Sequence, residues 1–318
     1  MSKANADIYK RFDTVYGLGP ESINTLIRSG AKTIADLNDT KFYKMLKLPT
    51  RTYLKYYDEL QERIPRDEIV RHGEKINNLL NAAGTFYKID IVGSFRRGRE
   101  YSGDIDVLFT LSSARNYNPD IEYISWVSNI LSTNGYLINT LKKGSNVMNG
   151  IVKLTPDGIA RRLDVFFSPP ELYAFALLAK TGDTQFNQSL RACIKEKNPN
   201  YSLSELGIRL KPNKTPVGDI NQFQTVDSIL KFIGVSKKQP HEMVGSISCT
   251  RSRQSSPLTA STKSRKRKKR RVLSLSSDGS KRQASPNPPN IAYDSDATRL
   301  TPSPLSQFSS HDSDATYE

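Results

Sequence analysis

The segment GSFRRG at residues 93–98, followed after four residues by GDIDV at residues 103–107, decides how the rest of this sequence is interpreted. The apolar run at residues 86–92 predicts a strand that ends at the Gly-Ser pair. A Gly-Ser turn after a strand exposes backbone N–H groups, and such groups bind phosphate. In the second segment, apolar residues alternate with Asp104 and Asp106, so we predict a second strand that carries both carboxylates on one face.

Two carboxylates on one strand face repel each other unless a cation lies between them, and hard oxygen ligands suit Mg²⁺. A third acid, Asp164, lies in the segment RRLDVFF at residues 161–167, which also predicts a strand. An acid within an apolar strand is costly unless it is paired or binds a metal. A lone Asp-x-Asp pattern usually marks a solvated strand face. Three strand carboxylates beside a phosphate-binding turn instead predict a two-metal site for nucleotidyl transfer, in which Mn²⁺ can substitute for Mg²⁺.

The charge of the chain indicates an anionic partner. The 318 residues include 47 Lys+Arg and 32 Asp+Glu, a formal net charge of +15. Such a balance favours nucleic acid, an acidic membrane surface or an acidic protein. From residue 244 onward the sequence holds 18 Ser and only three aromatic residues, which is too little apolar surface to offset the entropy of ordering. We therefore predict a disordered, basic, Ser-rich tail at residues 244–318 and a folded part before it.

The amino-acid composition also argues against several classes of protein, and one basic run indicates a location in the cell. No run of about 20 apolar residues is present that could span a membrane. Two cysteines and three histidines are too few for a disulfide scaffold and make a His/Cys zinc site improbable. We expect Cys193 to be a thiol in the core and His72 to be a surface or packing residue. The run KSRKRKKRR at residues 263–271 favours a nuclear import receptor as partner and the nucleus as location, with a solvated charge cluster as the alternative.

The segment VYGLGPESINTLIRSG at residues 15–30 predicts a helical hairpin that can hold DNA. Gly17 and Gly19 allow a tight turn, and Pro20 suits the first position of the helix that follows. Such a turn presents N–H groups at a helix N-terminus, where a DNA phosphate binds without sequence readout. An ordinary pair of helices is the alternative interpretation of this segment taken alone.

The remaining periodicity predicts helices first, then clustered strands, then helices again, which indicates an α+β fold with a small central sheet. The further predicted elements are helices at residues 50–64, 66–83, 121–131, 170–180 and 184–197 and strands at residues 103–110, 147–154 and 162–167.

Across residues 12–243 the chain resembles the family X DNA polymerases, the relatives of DNA polymerase beta. GSFRRG-x4-GDIDV is similar to the signature of that family, RRLDV to the segment of its third aspartate, and VYGLGP to its second helix-hairpin-helix. The segment from Thr181 to Arg191 is similar to the one that opens its nucleotide-binding helix. The resemblance implies a helix-hairpin-helix DNA-binding subdomain at residues 10–65, a nucleotidyltransferase palm with a small mixed β-sheet at residues 66–168 and an α+β nucleotide-binding subdomain at residues 169–243.

The resemblance also implies roles for individual residues. Asp104 and Asp106 would bridge two Mg²⁺ ions, and Asp164 would bind the catalytic ion beside the primer 3′-hydroxyl. The residues implied to bind the incoming nucleotide are Arg66, Gly93, Ser94, Arg97, Gly103, Gly182 and Asn187. The residues implied to contact DNA are Gly17, Gly19, Arg162 and Arg191. The backbone carbonyls implied to hold Na⁺ or K⁺ against a DNA phosphate are those of Asp13, Val15 and Leu18.

The implied function is DNA-directed DNA polymerisation by a monomer with no membrane partner, which adds dNTPs to a primer in gapped or primer-template DNA. Ala179-Lys180 stands where relatives carry aromatic residues that help to exclude ribonucleotides, so weaker dNTP/rNTP discrimination is expected. Only Thr155 to Ala160 separate two predicted strands where template-independent relatives carry a long loop, which favours templated filling of short gaps.

One activity is not expected, and two other functions remain as alternatives to a DNA polymerase. Too few residues precede Val15 for the N-terminal lyase domain of relatives that repair bases, so no deoxyribose-phosphate lyase activity is expected. A template-independent terminal nucleotidyltransferase, or another nucleotidyltransferase, is the first alternative. A DNA-binding protein without catalysis is the second, although the presence of all three aspartates argues against it.

Overall fold

The structure is a computed structural model that describes residues 3–83 and 87–249. The predictions for residues 250–318, including a disordered tail and the basic run at residues 263–271, lie outside the described residues. Within the described part, no helix has both the length and the apolar character to cross a membrane. The architecture is α+β with a small mixed sheet, as the sequence predicted.

A five-stranded sheet forms the centre of the molecule. Its strands are β2 (Tyr87–Ile91), β4 (Ile105–Leu111), β5 (Leu137–Lys143), β6 (Val147–Val152) and β7 (Arg161–Phe167). Their spatial order is β2-β4-β7-β6-β5, in which β4 and β7 are parallel and the other neighbours are antiparallel. The strict alternation of buried and partly exposed residues along β7 directs one side of the strand to a core and the other to a polar face.

The core face of the sheet is covered by two helices, α6 (Arg66–Ala83) and α8 (Tyr123–Thr133). His72 on α6 is fully buried among them, and its Nδ1 lies 2.7 Å from the Tyr136 hydroxyl. Burial lowers the pKa of this imidazole to about 4, so it is neutral at physiological pH. The packing role expected for His72 is therefore the one that the structure shows.

Five α-helices of the described residues precede α6 and form the helical subdomain: α1 (Lys3–Phe12), α2 (Pro20–Arg28), α3 (Thr40–Tyr43), α4 (Leu48–Leu54) and α5 (Tyr57–Gln61). The described helical subdomain includes residues before the boundary predicted at residue 10, because Ile8 and Phe12 of α1 pack into its core. The helix predicted at residues 50–64 is two helices, since the backbone leaves the helical conformation at Tyr56. Gly17 forms the turn between α1 and α2 with a positive φ of 83°.

Two short strands and one short helix complete this part of the chain. β1 (Ile64–Pro65) lies between α5 and α6, whereas α7 (Gly93–Arg96) and β3 (Tyr101–Ser102) lie between β2 and β4, and β1 pairs with β3.

The C-terminal subdomain is built from helices α9 (Tyr173–Thr181), α10 (Thr184–Lys197) and α11 (Val226–Ile233) and a hairpin of strands β8 (Tyr201–Ser204) and β9 (Gly207–Leu210). α10 has the predicted bounds because Asp183 caps its N-terminus, accepting the Phe186 N–H at 2.8 Å.

The folded part extends past the boundary predicted at residue 243. The Gly245 N–H donates to Asp183 Oδ2 at 3.0 Å, and Cys249 forms a disulfide with Cys193 on α10. The predictions of a tail that begins at residue 244 and of a free thiol at Cys193 are therefore wrong. Both errors have one cause, since composition does not show which backbone and sulfur atoms a polar segment brings against a helix.

The polar face of the sheet is covered at its two ends and not in the middle. α9 packs over Leu108 and Phe166 at one end. The helical subdomain packs over Leu141 and Ile151 at the other end. Between these two covers, β4 and β7 present the acidic side chains described next.

Candidate active site

The turn after β2 is shaped by a glycine that no other residue could replace without displacing an acid. Gly93 opens α7 with a positive φ of 60°, and a Cβ built there would collide with the Asp106 carboxylate. The Ser94 hydroxyl follows and donates to Ser102 Oγ at 2.7 Å. The predicted phosphate-binding turn is thus held directly against one of the predicted metal ligands.

The three predicted acids meet in one cluster. Asp106 lies on β4 and Asp164 lies opposite it on the parallel strand β7. Asp104 precedes the first residue of β4, so it lies on a loop and not within the strand that the sequence predicted. One carboxylate oxygen from each acid lies within 4.8 Å of the other two, a spacing that can hold a metal ion.

The electrostatics of the cluster favour a bound cation. Burial, and then the neighbouring charge of Asp164, raise the pKa of Asp106 to about 6, and Lys180 and Arg97 oppose that shift. Asp164 Oδ1 is buried and has no hydrogen-bond partner among the described residues. An orphaned carboxylate oxygen beside two further carboxylates matches the oxygen ligand set of a divalent metal ion.

Arginines border the acids on two sides. Arg162 on β7 forms an ion pair with Asp104. Arg97 follows the phosphate-binding turn, and its Nη1 donates to the Thr181 carbonyl oxygen at 2.8 Å, while burial lowers its pKa from the ordinary value. Arg66 donates to the Phe95 carbonyl oxygen at 2.7 Å. The predicted phosphate ligands thus surround the turn and contact backbone carbonyls there.

The predicted nucleotide-binding residues of the C-terminal subdomain lie where α9 ends and α10 begins. The Asn187 side-chain amide donates to the carbonyl oxygens of Ala179 at 2.9 Å and of Gly182 at 3.0 Å. Arg191 is exposed one helical turn further along α10. On the opposite side of the turn, Gly103 lies beside the guanidinium of Arg63.

The predicted DNA-contacting turn lies in the helical subdomain. Gly19 is the N-cap of α2 and has open space around it, whereas a side chain on Gly17 would meet Thr50 Oγ1. Two of the carbonyls predicted to hold a monovalent cation lie in this turn, and the Val15 carbonyl accepts the Leu18 N–H at 3.2 Å. The third, that of Asp13, lies at the end of α1.

Three further side chains, those of Lys180, Tyr16 and Asn149, also reach the site. Sequence reasoning missed Tyr16 and Asn149, and it considered Lys180 only for sugar selectivity. Lys180 lies at the end of α9, with its Nζ 3.7 Å from the centre of the Phe166 ring. The Tyr16 hydroxyl donates to Asn149 Oδ1 on β6 at 3.3 Å. A polar Asn in an otherwise apolar strand was a signal in the sequence, but the partner of Asn149 was not.

A strand-turn-helix phosphate loop beside three carboxylates on neighbouring strand ends defines a palm of the nucleotidyltransferase type. Residues 63–170 match the family model described as DNA polymerase beta palm. With the acidic cluster, this match supports membership of the chain in the family X polymerases, the family to which its motifs point.

Relatives with known names agree with this placement. The chain is 26% identical over 249 residues to DNA polymerase lambda of Arabidopsis thaliana, which covers 73% of this chain and 45% of the relative. It is 26% identical over 245 residues to DNA polymerase lambda of Rattus norvegicus, a match that covers 74% of this chain and 42% of the relative. It is 27% identical over 225 residues to DNA nucleotidylexotransferase of Monodelphis domestica, a match that covers 58% of this chain and 42% of the relative. The matched part of this chain therefore spans less than half the length of each relative.

Proposed function

We propose that this chain is a DNA-directed DNA polymerase that adds dNTPs to a primer 3′-hydroxyl in short DNA gaps. The observation that carries the proposal is the meeting of Asp104, Asp106 and Asp164 within 4.8 Å of one another beside the turn that Gly93 opens. Three carboxylates at that spacing suit two divalent cations, and the turn suits a triphosphate. Mg²⁺ is the ion that an all-carboxylate ligand set favours, and Mn²⁺ can substitute for it.

The three acids would bind the two metal ions unequally. Asp104 and Asp106 would hold both ions, and Asp164 would hold the ion on the primer side. When bound, the ions supply a lowered pKa at the primer hydroxyl and neutralise charge on the phosphates. Arg162 keeps the Asp104 carboxylate in place through their ion pair.

Phosphate binding by Arg97 requires an exchange of partners. Its guanidinium contacts the neutral carbonyl of Thr181 at the end of α9. A triphosphate held by the turn at Ser94 offers an anionic acceptor instead, and hydrogen bonds to charged acceptors are roughly twice as strong as those to neutral ones. Nucleotide binding is therefore expected to release the end of α9 from Arg97, with Arg66 as a further phosphate ligand.

The remaining predicted contacts arrange the nucleotide and the DNA around this centre. Asn187 and Gly182 face the incoming nucleotide, and Arg191 faces the template strand. The backbone N–H groups after Gly17 and Gly19 hold a DNA phosphate, and the nearby carbonyls hold Na⁺ or K⁺. The chain acts as a monomer in this scheme.

Templated synthesis is favoured by the connection between β6 and β7. This connection is short, and the Ala160 N–H in it donates to Glu59 Oε2 of α5 at 2.6 Å. A short, tethered connection leaves the template path open. Extension of a one-nucleotide gap should therefore exceed extension of a bare single strand, and equal rates on both would favour a template-independent transferase.

Sugar selectivity is expected to be weak. The side chains at the position that faces the nucleotide sugar are those of Ala179 and Lys180, and neither supplies an aromatic ring to exclude a 2′-hydroxyl. The ratio of kcat/KM for dNTP to that for rNTP measures the selectivity. A ratio above several thousand, or about 5 kcal/mol of discrimination, would contradict the expectation.

We also propose that residues 263–271 direct the protein to the nucleus through an import receptor. A fluorescent reporter fused to these residues should accumulate in nuclei, and a matched fusion with alanines at the basic positions should not. A reporter that stays outside the nucleus in both forms would contradict this assignment.

The main proposal is tested by gap filling with Mg²⁺ and with Mn²⁺. The wild-type chain should insert one dNTP, and the Asp106→Asn variant should bind the gapped DNA but insert none. Absence of insertion by a folded wild-type chain that binds DNA would leave only the DNA-binding alternative.

A further inference from the structure

We propose that Tyr16 is a positioning residue for the primer terminus, acting through Asn149 on the strand beside Asp164. This inference rests on the polymerase activity proposed above and adds a residue from the helical subdomain to the primer side of the site.

The first observation is the register of three neighbouring strands. Asp106 on β4 pairs with Asp164 on β7, and Asp164 pairs with Asn149 on β6. Side chains that are directly paired share one face of a sheet and lie about 5 Å apart. The three side chains therefore form a row, which we call the carboxylate row, with Asn149 at the end nearest the helical subdomain.

The second observation is the residue that closes this row. The Tyr16 hydroxyl donates to Asn149 Oδ1 at 3.3 Å. Tyr16 is far from Asn149 in sequence and directly precedes Gly17 of the proposed DNA-holding turn. Its ring is stacked on Tyr53 of α4 at a centroid distance of 6.0 Å, so the direction of the hydroxyl is fixed by packing within the helical subdomain.

Burial and nearby charge keep the Tyr16 hydroxyl protonated, so that it can donate a hydrogen bond. Partial burial, and then the charge of Asp164, raise the pKa of Tyr16 above its ordinary value, while Arg162 opposes this shift. A protonated phenol donates one hydrogen bond, and the Asn149 carbonyl oxygen is the acceptor that lies in reach. Tyr16 therefore lies within the electrostatic influence of both charged side chains on the polar side of β7.

These contacts connect two tasks of a polymerase. The turn at Gly17 would hold a DNA phosphate, and Asp164 would stand beside the primer hydroxyl. Through its one hydrogen bond to Asn149, Tyr16 links the turn at Gly17 to β6, the strand that pairs with the Asp164 strand. Because a reacting atom displaced by about 1 Å can cost a hundredfold in rate, a contact that fixes this separation acts on the chemical step more than on binding.

The experiment compares single-nucleotide gap filling by wild type, Tyr16→Phe, Asn149→Ala and the double variant, with thermal unfolding midpoints measured for each. Tyr16→Phe removes the hydroxyl and keeps the ring on Tyr53. We expect kcat to fall about three- to tenfold, the range for one hydrogen bond, while KM for dNTP and Kd for gapped DNA stay within about twofold. Asn149→Ala should give the same split, and the double variant should be no slower than the slower single variant.

The matched control is Tyr57→Phe. This tyrosine belongs to the same subdomain, and its hydroxyl is 2.8 Å from Thr14 Oγ1, whereas the Tyr16 hydroxyl donates to Asn149. Its removal should leave kcat unchanged.

An active wild type whose kcat is unaltered by Tyr16→Phe would overturn this inference alone. Additive losses in the double variant, or a loss confined to DNA affinity, would do the same. A wild type that folds and binds DNA but inserts no nucleotide would overturn the proposed function as well.

Discussion

At the scale of single residues, the acidic cluster opposes the stability of the metal-free protein. Burial of Asp106 disfavours its charged form, and the charge of Asp164, which strand register places beside it, adds to this effect. The pKa of Asp106 rises to about 6 as a result. Such groups are typical of functional sites, where local stability is lost in favour of a binding geometry.

Replacing Asp106 by Asn is therefore expected to stabilise the metal-free protein at pH 7 and to have little effect near pH 4. The folded state favours the protonated acid, so the stabilising effect of protonation is complete below the ordinary pKa of 3.8 and is lost as the pH rises through about 6. Asparagine removes the unfavourable charge. The rise of the Asp106 pKa from 3.8 to about 6 corresponds to about 3 kcal/mol in the free energy of unfolding at pH 7.

Denaturant unfolding of both proteins with a chelator, at pH 4 and pH 7, measures this difference. A stability change that is equal at the two pH values would contradict the electrostatic cause. Because both proteins are measured at each pH, the titration of groups that do not interact with Asp106 cancels in the comparison.

Gly93, which opens the turn after β2, has a steric effect on Asp106 that a substitution can test. Gly93→Ala should lower kcat by about a hundredfold, because a methyl group there would push the Asp106 carboxylate out of place. Gly98→Ala is the matched control. Gly98 also has a positive φ, of 80°, but beyond its own two chain neighbours no heavy atom lies within 4 Å of where its Cβ would be.

Both variants carry the same kind of backbone strain, and Gly93→Ala adds the collision with Asp106, so its stability should fall further than that of Gly98→Ala. Steady-state gap filling, together with the metal concentration needed for half-maximal rate, separates them. Equal activities of Gly93→Ala and Gly98→Ala would show that the glycine is needed only for its backbone conformation.

At the scale of elements, α10 is held at both ends by contacts with the segment that follows residue 243. Asp183 at its N-terminus accepts the Gly245 N–H. Cys193 in its last two turns is bonded to Cys249. The helix that carries Asn187 and Arg191 is thus fixed against a segment that composition alone assigns to the tail.

Breaking this disulfide is expected to destabilise the C-terminal subdomain by about 2–4 kcal/mol, the usual effect of a native bridge. Cys249→Ser and Cys193→Ser should lower the thermal unfolding midpoint of the oxidised protein by similar amounts. A reductant should lower the midpoint of the wild type to that of the variants and leave the variants unchanged. A wild type that is insensitive to reductant would show that the bridge does not stabilise the fold.

Comparison of the predicted and observed helices and strands shows which of them local sequence signals determine. α10 and β7 have almost their predicted bounds, because a capping Asp and an alternating apolar pattern are local signals. β5 was not predicted, since its polar residues are paired only through β6. The acids were found from spacing, but the positions of Lys180 and Tyr16 depend on packing between subdomains, which a single sequence does not show.

At the scale of the whole molecule, the sheet is shared between the subdomains. The core of the helical subdomain includes Leu141, Ile151 and Ala160, which lie in or next to strands of the sheet. α9 of the C-terminal subdomain packs over Leu108 at the other end. The helical subdomain and the palm therefore have one continuous apolar boundary and are expected to unfold together.

Truncating Ile151 tests this shared boundary. Ile151 is fully buried, so Ile151→Ala should lower the free energy of unfolding by about 2–5 kcal/mol. The fluorescence of Trp126, the single tryptophan of the chain, reports the palm, and far-UV circular dichroism reports all helices. Both transitions should shift together in the variant.

The matched control is Ile138→Ala on the same sheet, where the side chain is 37% exposed and the change should stay within about 0.5 kcal/mol. Separate midpoints for the two signals in Ile151→Ala would show that the palm and the helical subdomain unfold independently.

The parallel pairing of β4 and β7 also determines when the acidic cluster can exist during folding. Parallel neighbours need a long crossover, here supplied by α8, β5 and β6, and the loop entropy of such a connection is lost before the strands meet. Asp104 and Asp106 are local to each other, but Asp164 joins them only after that crossover has formed. An ion that needs all three carboxylates therefore binds only after β4 and β7 have paired, so it should slow unfolding more than it accelerates folding.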